Sequence, residues 1–345
     1  MTSHTVARRL RALDEMLSIE LEARRFVTEP TRLRLLESLP HGAGSKPLMT
    51  VVDDAGARYV LKLAEPALAH AEQAAYELRR LGRRPCVPAR VVSTEVEGIG
   101  WVEGLLKPYL ELDWDAELQT DTSQWSDLQR CVLLREHAWE WFLDNLDTNT
   151  SQYALLGPEG YPLNVDWDRA FSEDGCSEFS RFAKYRKTLP NARTFLYADY
   201  VEGRGRLAFG VLRDEARRIR RLPERKVRRI VAAYAEARFD DTQEAQRFVS
   251  RVLRRQREIE LHVTRFIRSI ERERRDLTGL VGDDKSAAIR VPLAKAWRYW
   301  QLFLNWLSRG PIGILGRGAL KLVRGARARK RHLPMKEPSH TRACH

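Results

Sequence analysis

Leu10, Leu13, Leu17 and Leu21 recur at helical spacing in a segment otherwise rich in Arg and Glu, which predicts a helix over residues 5–38. Leu39-Pro40-His41-Gly42-Ala43-Gly44 ends it, since Pro lacks a backbone donor and Gly frees the chain. The pattern then changes. PLMTVVDDAGARYVLKL, residues 47–63, is two short apolar runs around Asp53-Asp54-Ala55-Gly56, which predicts a β-hairpin. Leu68, Ala71, Ala75, Leu78 and Leu81 fall on one face of a helix over 67–81 that Gly82 stops. After Pro85 and Pro88, residues 89–112 read as further strands separated by Gly98 and Gly104.

From about residue 125 the period is helical. Leu128, Cys131, Leu134, Ala138, Trp141 and Phe142 make a buried stripe over 126–143. YALL and LNVDW follow as two short strands joined by Gly157-Pro158-Glu159-Gly160. An Arg-rich helical region fills 205–275, broken near Pro223 and around Phe239–Thr242. Residues 276–291 read as a linker, and 292–345 as an aromatic and basic helix, a Gly-rich segment and a basic tail. The order predicts an α+β protein, a small mixed half followed by a larger helical one.

Composition narrows the class. At 345 residues and 43% hydrophobic, with nine Trp, the chain can bury a large core and is no disordered protein. A net charge of +13 favours polyanions: nucleotide, nucleic acid or an anionic membrane surface. Cys86, Cys131, Cys176 and Cys344 are scattered, which indicates neither a zinc site nor a disulfide framework and fits free thiols in a reducing cytoplasm. The N-terminus is charged throughout, unlike a secretory signal. No apolar run reaches the ~18 residues of a spanning helix.

Several positions carry candidate chemistry. Lys62 lies in the apolar run Tyr59–Leu63, where a Lys either points to solvent or needs a partner. The next helix offers Glu72 and Glu77, of which Glu72 is better placed. Asp166 sits in the apolar context Leu163–Trp167, where an ionised carboxylate wants a cation: a metal ion, or an Arg such as Arg169. Asp147 stands at a helix-to-loop junction and Gln152, an amide, follows five residues later. Asp147 taken alone is also an ordinary turn former. Asp168, two residues beyond Asp166, could assist a metal there, but reads by default as a surface partner of Arg169. The turn HGAGSKP at 41–47 could lie over phosphates through its backbone N–H groups, or be a plain loop. A base, an amide ligand and a carboxylate ligand in this order are the parts of kinase-type phosphoryl transfer.

VLK at 60–62, AEQAAYELRRLG at 71–82 with Val87-Pro88 after it, and the stretch 143–171 together resemble the atypical protein-kinase-like superfamily that includes HipA-type, phosphoinositide 3-/4- and Fam-type kinases. The resemblance covers about residues 42–240. It implies a two-lobed fold: a helical extension at 1–40, a β-rich N-lobe at 41–112, a helical C-lobe at 113–275, and an appended linker, helix and tail at 276–345. It implies ATP and Mg²⁺ (or Mn²⁺) as cofactors. Carried over by position, Asp147 would be the catalytic carboxylate, and Lys62, held by Glu72, would contact the phosphates. Gln152 and Asp166 would be metal ligands, Gly42 and Gly44 would lie over the phosphates, and Lys107, Tyr109 and Leu110 would line the adenine hinge. Two positions depart from the superfamily pattern. Asn149 stands where a His is usual, and Gln152 where an Asn is usual. A nucleotide-binding pseudokinase serving as an adaptor is therefore the alternative to an active phosphotransferase acting on an unknown acceptor.

The C-terminus adds a further expectation. Leu293, Trp297, Trp300, Leu304 and Leu307 share a helical face, and seven Lys/Arg follow between 317 and 331. Residues 292–331 would thus suit peripheral attachment of a cytoplasmic protein to an anionic membrane surface, or the aromatic stripe would pack on the protein. Nucleic acid is a third partner for this charge, in a basic helical protein without a nucleotide site, but the sequence holds no recognised motif for it.

Overall fold

Five strands and one helix build the first part of the fold: β1 (Arg32–Leu39), β2 (Leu48–Val52), β3 (Arg58–Lys62), α2 (Pro66–Leu81), β4 (Arg90–Val96) and β5 (Gly100–Pro108), preceded by helix α1 (Ser3–Ala23). The computed structural model describes residues 3–24, 30, 32–39, 47–111, 118, 121–145, 150–171 and 192–283, all within one compact unit. The strands close into a barrel in the order β1-β2-β3-β5-β4. Neighbours run antiparallel except β1 and β4, which pair in parallel at Leu33 and Val96. Period-two alternation points Leu33, Met49, Val51, Leu61, Val92, Val96 and Leu106 into the barrel. The β2–β3 hairpin forms as expected. Asp53 Oδ1 accepts from the N–H groups of Ala55 (3.0 Å) and Ala57 (2.8 Å), and Gly56 takes the left-handed conformation the turn requires.

Helix α3 (Asp127–Leu143) leads the helical part. Ser126 and Gln129 form a reciprocal capping box at its start, each side chain accepting from the other's backbone N–H. Strands β6 (Tyr153–Leu156) and β7 (Tyr161–Asn164) pair antiparallel, and α4 (Ala192–Val201), α5 (Phe209–Arg220), α6 (Glu224–Arg238) and α7 (Thr242–Asp283) follow. The breaks fall at Pro223 and at Phe239–Asp241, as the sequence predicts.

Five expectations are corrected. The first helix stops at Ala23, and Arg32–Leu39 is a strand. Its Leu-rich composition suggests helix, but Leu33 points in while Arg32 and Arg34 point out, and the barrel supplies hydrogen-bonding partners on both sides. The helical extension is also not an appendage: Leu10, Leu17 and Leu21 pack with Leu128, Val132 and Leu163 in one core cluster. Gly104 does not separate strands but lies inside β5, where a Cβ would come within 2.9 Å of the Lys62 carbonyl oxygen, so only Gly lets β5 close on β3. The expected linker begins as helix, because α7 contains no Pro and continues to Asp283. Finally, α3 buries far more than one stripe: Arg135, Glu136, His137, Trp139 and Glu140 are all at most 2% exposed. The expected tail helix, 292–331, lies outside the described residues.

Candidate functional site

Lys62 ends β3, and the hydrogen-bonding register sets what surrounds it. Lys62 pairs with Leu105 and Val60 with Lys107, so the two lysines are diagonal neighbours on the outer face of the barrel. Leu61 between the β3 pair points inward, and α2 packs over the lysines' face. Glu72 on α2 is 2% exposed and reaches both cations: Lys62 Nζ is 3.4 Å from its Oε2, and Lys107 Nζ bonds its Oε1. Glu77, the other helix carboxylate, is not in this group.

Two carboxylates approach from the turn after β7. Lys62 Nζ donates to Asp166 Oδ1 at 2.9 Å and lies 3.1 Å from Asp168 Oδ2. The turn is held by its own polar atoms. The Asp166 N–H donates to Asn164 Oδ1 at 2.9 Å, and the Asp168 N–H donates to Asp166 Oδ1 at 3.3 Å. Asp166 thus lies just beyond the strand and not within it. Its cation is Lys62, at a sequence separation of 104, rather than the adjacent Arg169. Asp168 does approach Arg169, at 4.0 Å, but its side chain is only 14% exposed and its other oxygen faces Lys62, which corrects the expected surface pairing.

The remaining candidates are distributed around this centre. Lys107 was expected at an adenine hinge, but its ammonium turns into the cluster and also donates to the Val165 carbonyl at 2.5 Å. Tyr109 continues the β5 edge, its N–H donating to the Arg58 carbonyl at 2.9 Å with the Arg58 guanidinium 4.2 Å over its ring. Leu110 packs at the margin of the core cluster that α1 and α3 share. The Gln152 backbone carbonyl accepts from Val165 N–H at 2.9 Å, which places that residue against the chain leading to Asp166. Asp147, Asn149, Gly42 and Gly44 lie outside the described residues.

Two ammonium groups sit among the three carboxylates of Glu72, Asp166 and Asp168, and the Arg169 guanidinium, 4.0 Å from Asp168, adds a third positive charge at the outer edge. Burial opposes the Lys62 charge, but Glu72, Asp166 and Asp168 outweigh it and push its pKa above the ordinary lysine value. Burial likewise opposes ionisation of Asp166, and the Lys62 and Lys107 charges overcome it, so its pKa is lowered. Both groups are therefore charged at neutral pH. Among the described residues no three His, Cys, Asp or Glu side chains form a ready metal cage. A Mg²⁺-class ion, however, takes hard oxygen donors and commonly only one or two carboxylates, the rest coming from phosphate and water. Asp166 and Asp168 suit such an ion.

Sequence reasoning missed the buried support of the site. Arg79 lies two turns beyond Glu72 on α2 and makes a bidentate pair with Glu136 of α3 at 2.7 and 3.0 Å. It also donates to the Pro85 carbonyl at 3.0 Å, and its guanidinium sits 4.6 Å over the ring of Trp167, the residue between the two aspartates. Arg79 stands in an Arg-Arg pair and Glu136 beside Arg135, both of which look like solvated helix faces. The available signal was the location of Glu136 and Arg135 inside a run otherwise as apolar as Cys131–Phe142.

No family model and no curated protein matches the chain. Among solved structures it is similar to a Helicobacter pylori proinflammatory kinase, CtkA, at 10% identity and a TM-score of 0.44, over 70% of this chain and 99% of that one. It is also similar to the Golgi casein kinase, at 12% identity and a TM-score of 0.43, over 74% of this chain and 78% of that one. The Golgi casein kinase with Mn/ADP bound aligns at 12% identity and a TM-score of 0.42, over 74% and 77%.

Proposed function

We propose that the protein is an ATP- and divalent-metal-dependent phosphotransferase of an atypical kinase-like fold. The observation that carries this reading is Lys62, set between Glu72 of α2 and the Asp166–Asp168 turn. Phosphoryl transfer needs mainly positioning and charge stabilisation: a cation for the nucleotide phosphates, carboxylates for the metal, and a carboxylate to orient the acceptor. Lys62 would hold the phosphates, with Glu72 keeping its ammonium in place. Asp166 and Asp168, with the Gln152 amide, would hold Mg²⁺ or Mn²⁺, which neutralises charge on the phosphates when bound. Asp147 would accept the proton of an acceptor hydroxyl as its oxygen bonds to the γ-phosphorus and the bond to the β-phosphate oxygen breaks, releasing ADP. Gly42 and Gly44 would lie over the phosphates, with Tyr109 and Leu110 beside the base. On sequence alone, residues 292–331 would attach the protein to an anionic membrane surface.

Purified protein incubated with γ-labelled ATP and Mg²⁺ should phosphorylate itself or hydrolyse ATP, and Asp166→Ala should abolish both. A second reading has its own observation. Gln152 is one methylene longer than the Asn usual in the resembling kinases, and metals tolerate little displacement of an oxygen ligand. If the wild type is inert while ATP still raises its melting temperature, the protein is a nucleotide-binding adaptor. If ATP does neither, the phosphotransferase reading is wrong.

A further inference from the structure

Two cavities adjoin where α2, α5 and α6 meet, and none of the Lys62 cluster lines either of them. The larger, about 1140 Å³, runs between α1, α2 and α6. The smaller, about 570 Å³, lies against the end of α2 and the turn from α5 to α6. Arg83 and Arg218 line both. Arg221 adds to the smaller, and Lys226 and Arg229, one turn apart on α6, add to the larger.

These five cations are poorly matched by anions. The larger cavity has seven Lys/Arg against four carboxylates, and two of the four are already engaged: Asp14 with Arg84 and Arg135, and Glu22 with Tyr76 and Arg80. Glu15 and Glu77 are the other two. In the smaller cavity Asp214 pairs with Arg217 at 3.1 Å. Among the described residues Arg218 reaches only Glu215, at 3.8 Å, and that carboxylate already holds Arg84 in a bidentate pair. Arg83, Arg221, Lys226 and Arg229 have no side-chain ion pair or hydrogen bond among the described residues. Burial, and next the positive charge of Arg84, hold the Arg218 guanidinium below its ordinary value, as expected of a cation short of counter-charge.

Backbone conformation adds a further observation. Arg83 is in the left-handed region, φ 54°, directly after Gly82, whose φ is −80°. Gly or Asn fills such a position at lower cost. The chain instead presents a guanidinium there, at the junction of both cavities.

We infer that this junction binds a ligand carrying at least two phosphate groups. Guanidinium forks pair with phosphate oxygens bidentately, and clustered Arg and Lys match a compact multiple charge better than a single carboxylate could. The phosphates could belong to a free polyphosphorylated small molecule or to a lipid headgroup, which present the same chemistry. The site is independent of the nucleotide reading, since it shares no residue with the Lys62 cluster.

Calorimetric titration of the full chain with pyrophosphate, in EDTA so that no metal-bridged phosphate contributes, tests the inference. Binding is expected, and Arg83→Gln/Lys226→Gln should weaken it by at least about tenfold, the loss of two charge-assisted contacts. Lys62→Met should leave it within about twofold, a change smaller than one such contact. Both positions of the double variant are exposed, so its circular dichroism should match the wild type. Absence of pyrophosphate binding, equal affinity in the double variant, or loss in Lys62→Met overturns the inference. Flotation with vesicles, with and without a phosphatidylinositol bisphosphate, assigns the source. Headgroup-dependent flotation that the double variant loses points to lipid; none, or flotation the variant retains, points to a free ligand.

Discussion

Replacing Lys62 with Met removes a cation that touches all three carboxylates of the site while keeping a similar apolar stem. Glu72 would keep Lys107, but Asp166 and Asp168 would lose their ammonium partner, and the cluster would become more negative by one charge. Removing one partner of a buried pair costs about 3–5 kcal/mol. Asp166 is a third exposed, so solvent screening reduces this to about 2–4 kcal/mol near neutral pH. For a protein of this size that is a fall in melting temperature of roughly 3–6 °C. The pH dependence is the sharper test. In the wild type the folded pKa of Asp166 is depressed below 3.8, so its stabilisation is present above that value and lost as pH falls through the folded pKa. In the variant Lys107 alone opposes burial, so the pKa rises from its wild-type position. The carboxylate then stabilises the neutral-pH fold less than in the wild type, and the shortfall narrows as acid protonates it. The difference between wild type and variant in urea denaturation should therefore shrink by about half or more between roughly pH 7 and pH 4.5. A difference that stays constant across that window would mean that Asp166 and Asp168 do not hold Lys62, and the site described above would be wrong.

Asp166→Asn should fold, because Lys62 keeps Glu72 and Asp168, yet lose at least about 100-fold in phosphoryl transfer, measured as labelled product per minute. Gly82→Ala should destabilise by about 1–3 kcal/mol in urea titration: its φ suits Ala, so the cost is steric, from a Cβ 2.5 Å from Cζ2 of the fully buried Trp139. Arg79→Met alone should cost about 3–5 kcal/mol by leaving the Glu136 carboxylate buried without its partner, whereas Arg79→Met/Glu136→Met should recover most of that loss. Equal loss in the single and double variants would show that the pair is not what stabilises this contact.

The sequence exposes Lys62 and Asp166 for one physical reason: each is a lone charge in an apolar strand-like run, where burial forces the question of a partner. Glu72 follows because a helix after that strand is the nearest source of a carboxylate. Lys107 sits in an equally apolar run, Leu105–Leu110, but its role depends on which strand β5 joins. Strand pairing is a non-local property, and only the register with β3 turns its ammonium toward Glu72. Asp168 was misread because Arg169 is adjacent in sequence, while the cation it faces lies on another strand. The strand at 32–39 was missed for the same kind of reason. Alternating Arg and Leu over a few residues satisfies a helix as well as a strand until the barrel edge that receives it is known.

The buried pairs also decide how the site can be controlled. Glu72 and Arg79 are seven residues apart on α2, which is about 10 Å along the helix axis. One end of that span grips Lys62, and the other grips Glu136 of α3 and the ring of Trp167. Because Trp167 lies between Asp166 and Asp168, the helix that orients the lysine also holds the turn that carries the carboxylates. Sliding or rotating α2 away from Lys62 would withdraw Arg79 from Glu136, and with α3 still covering that carboxylate the cost is about 3–5 kcal/mol. That corresponds to a displaced population of about one molecule in a few hundred to one in several thousand. A swing of α2 is thus a poor on-off device in this protein, and Glu72 is fixed by folding itself.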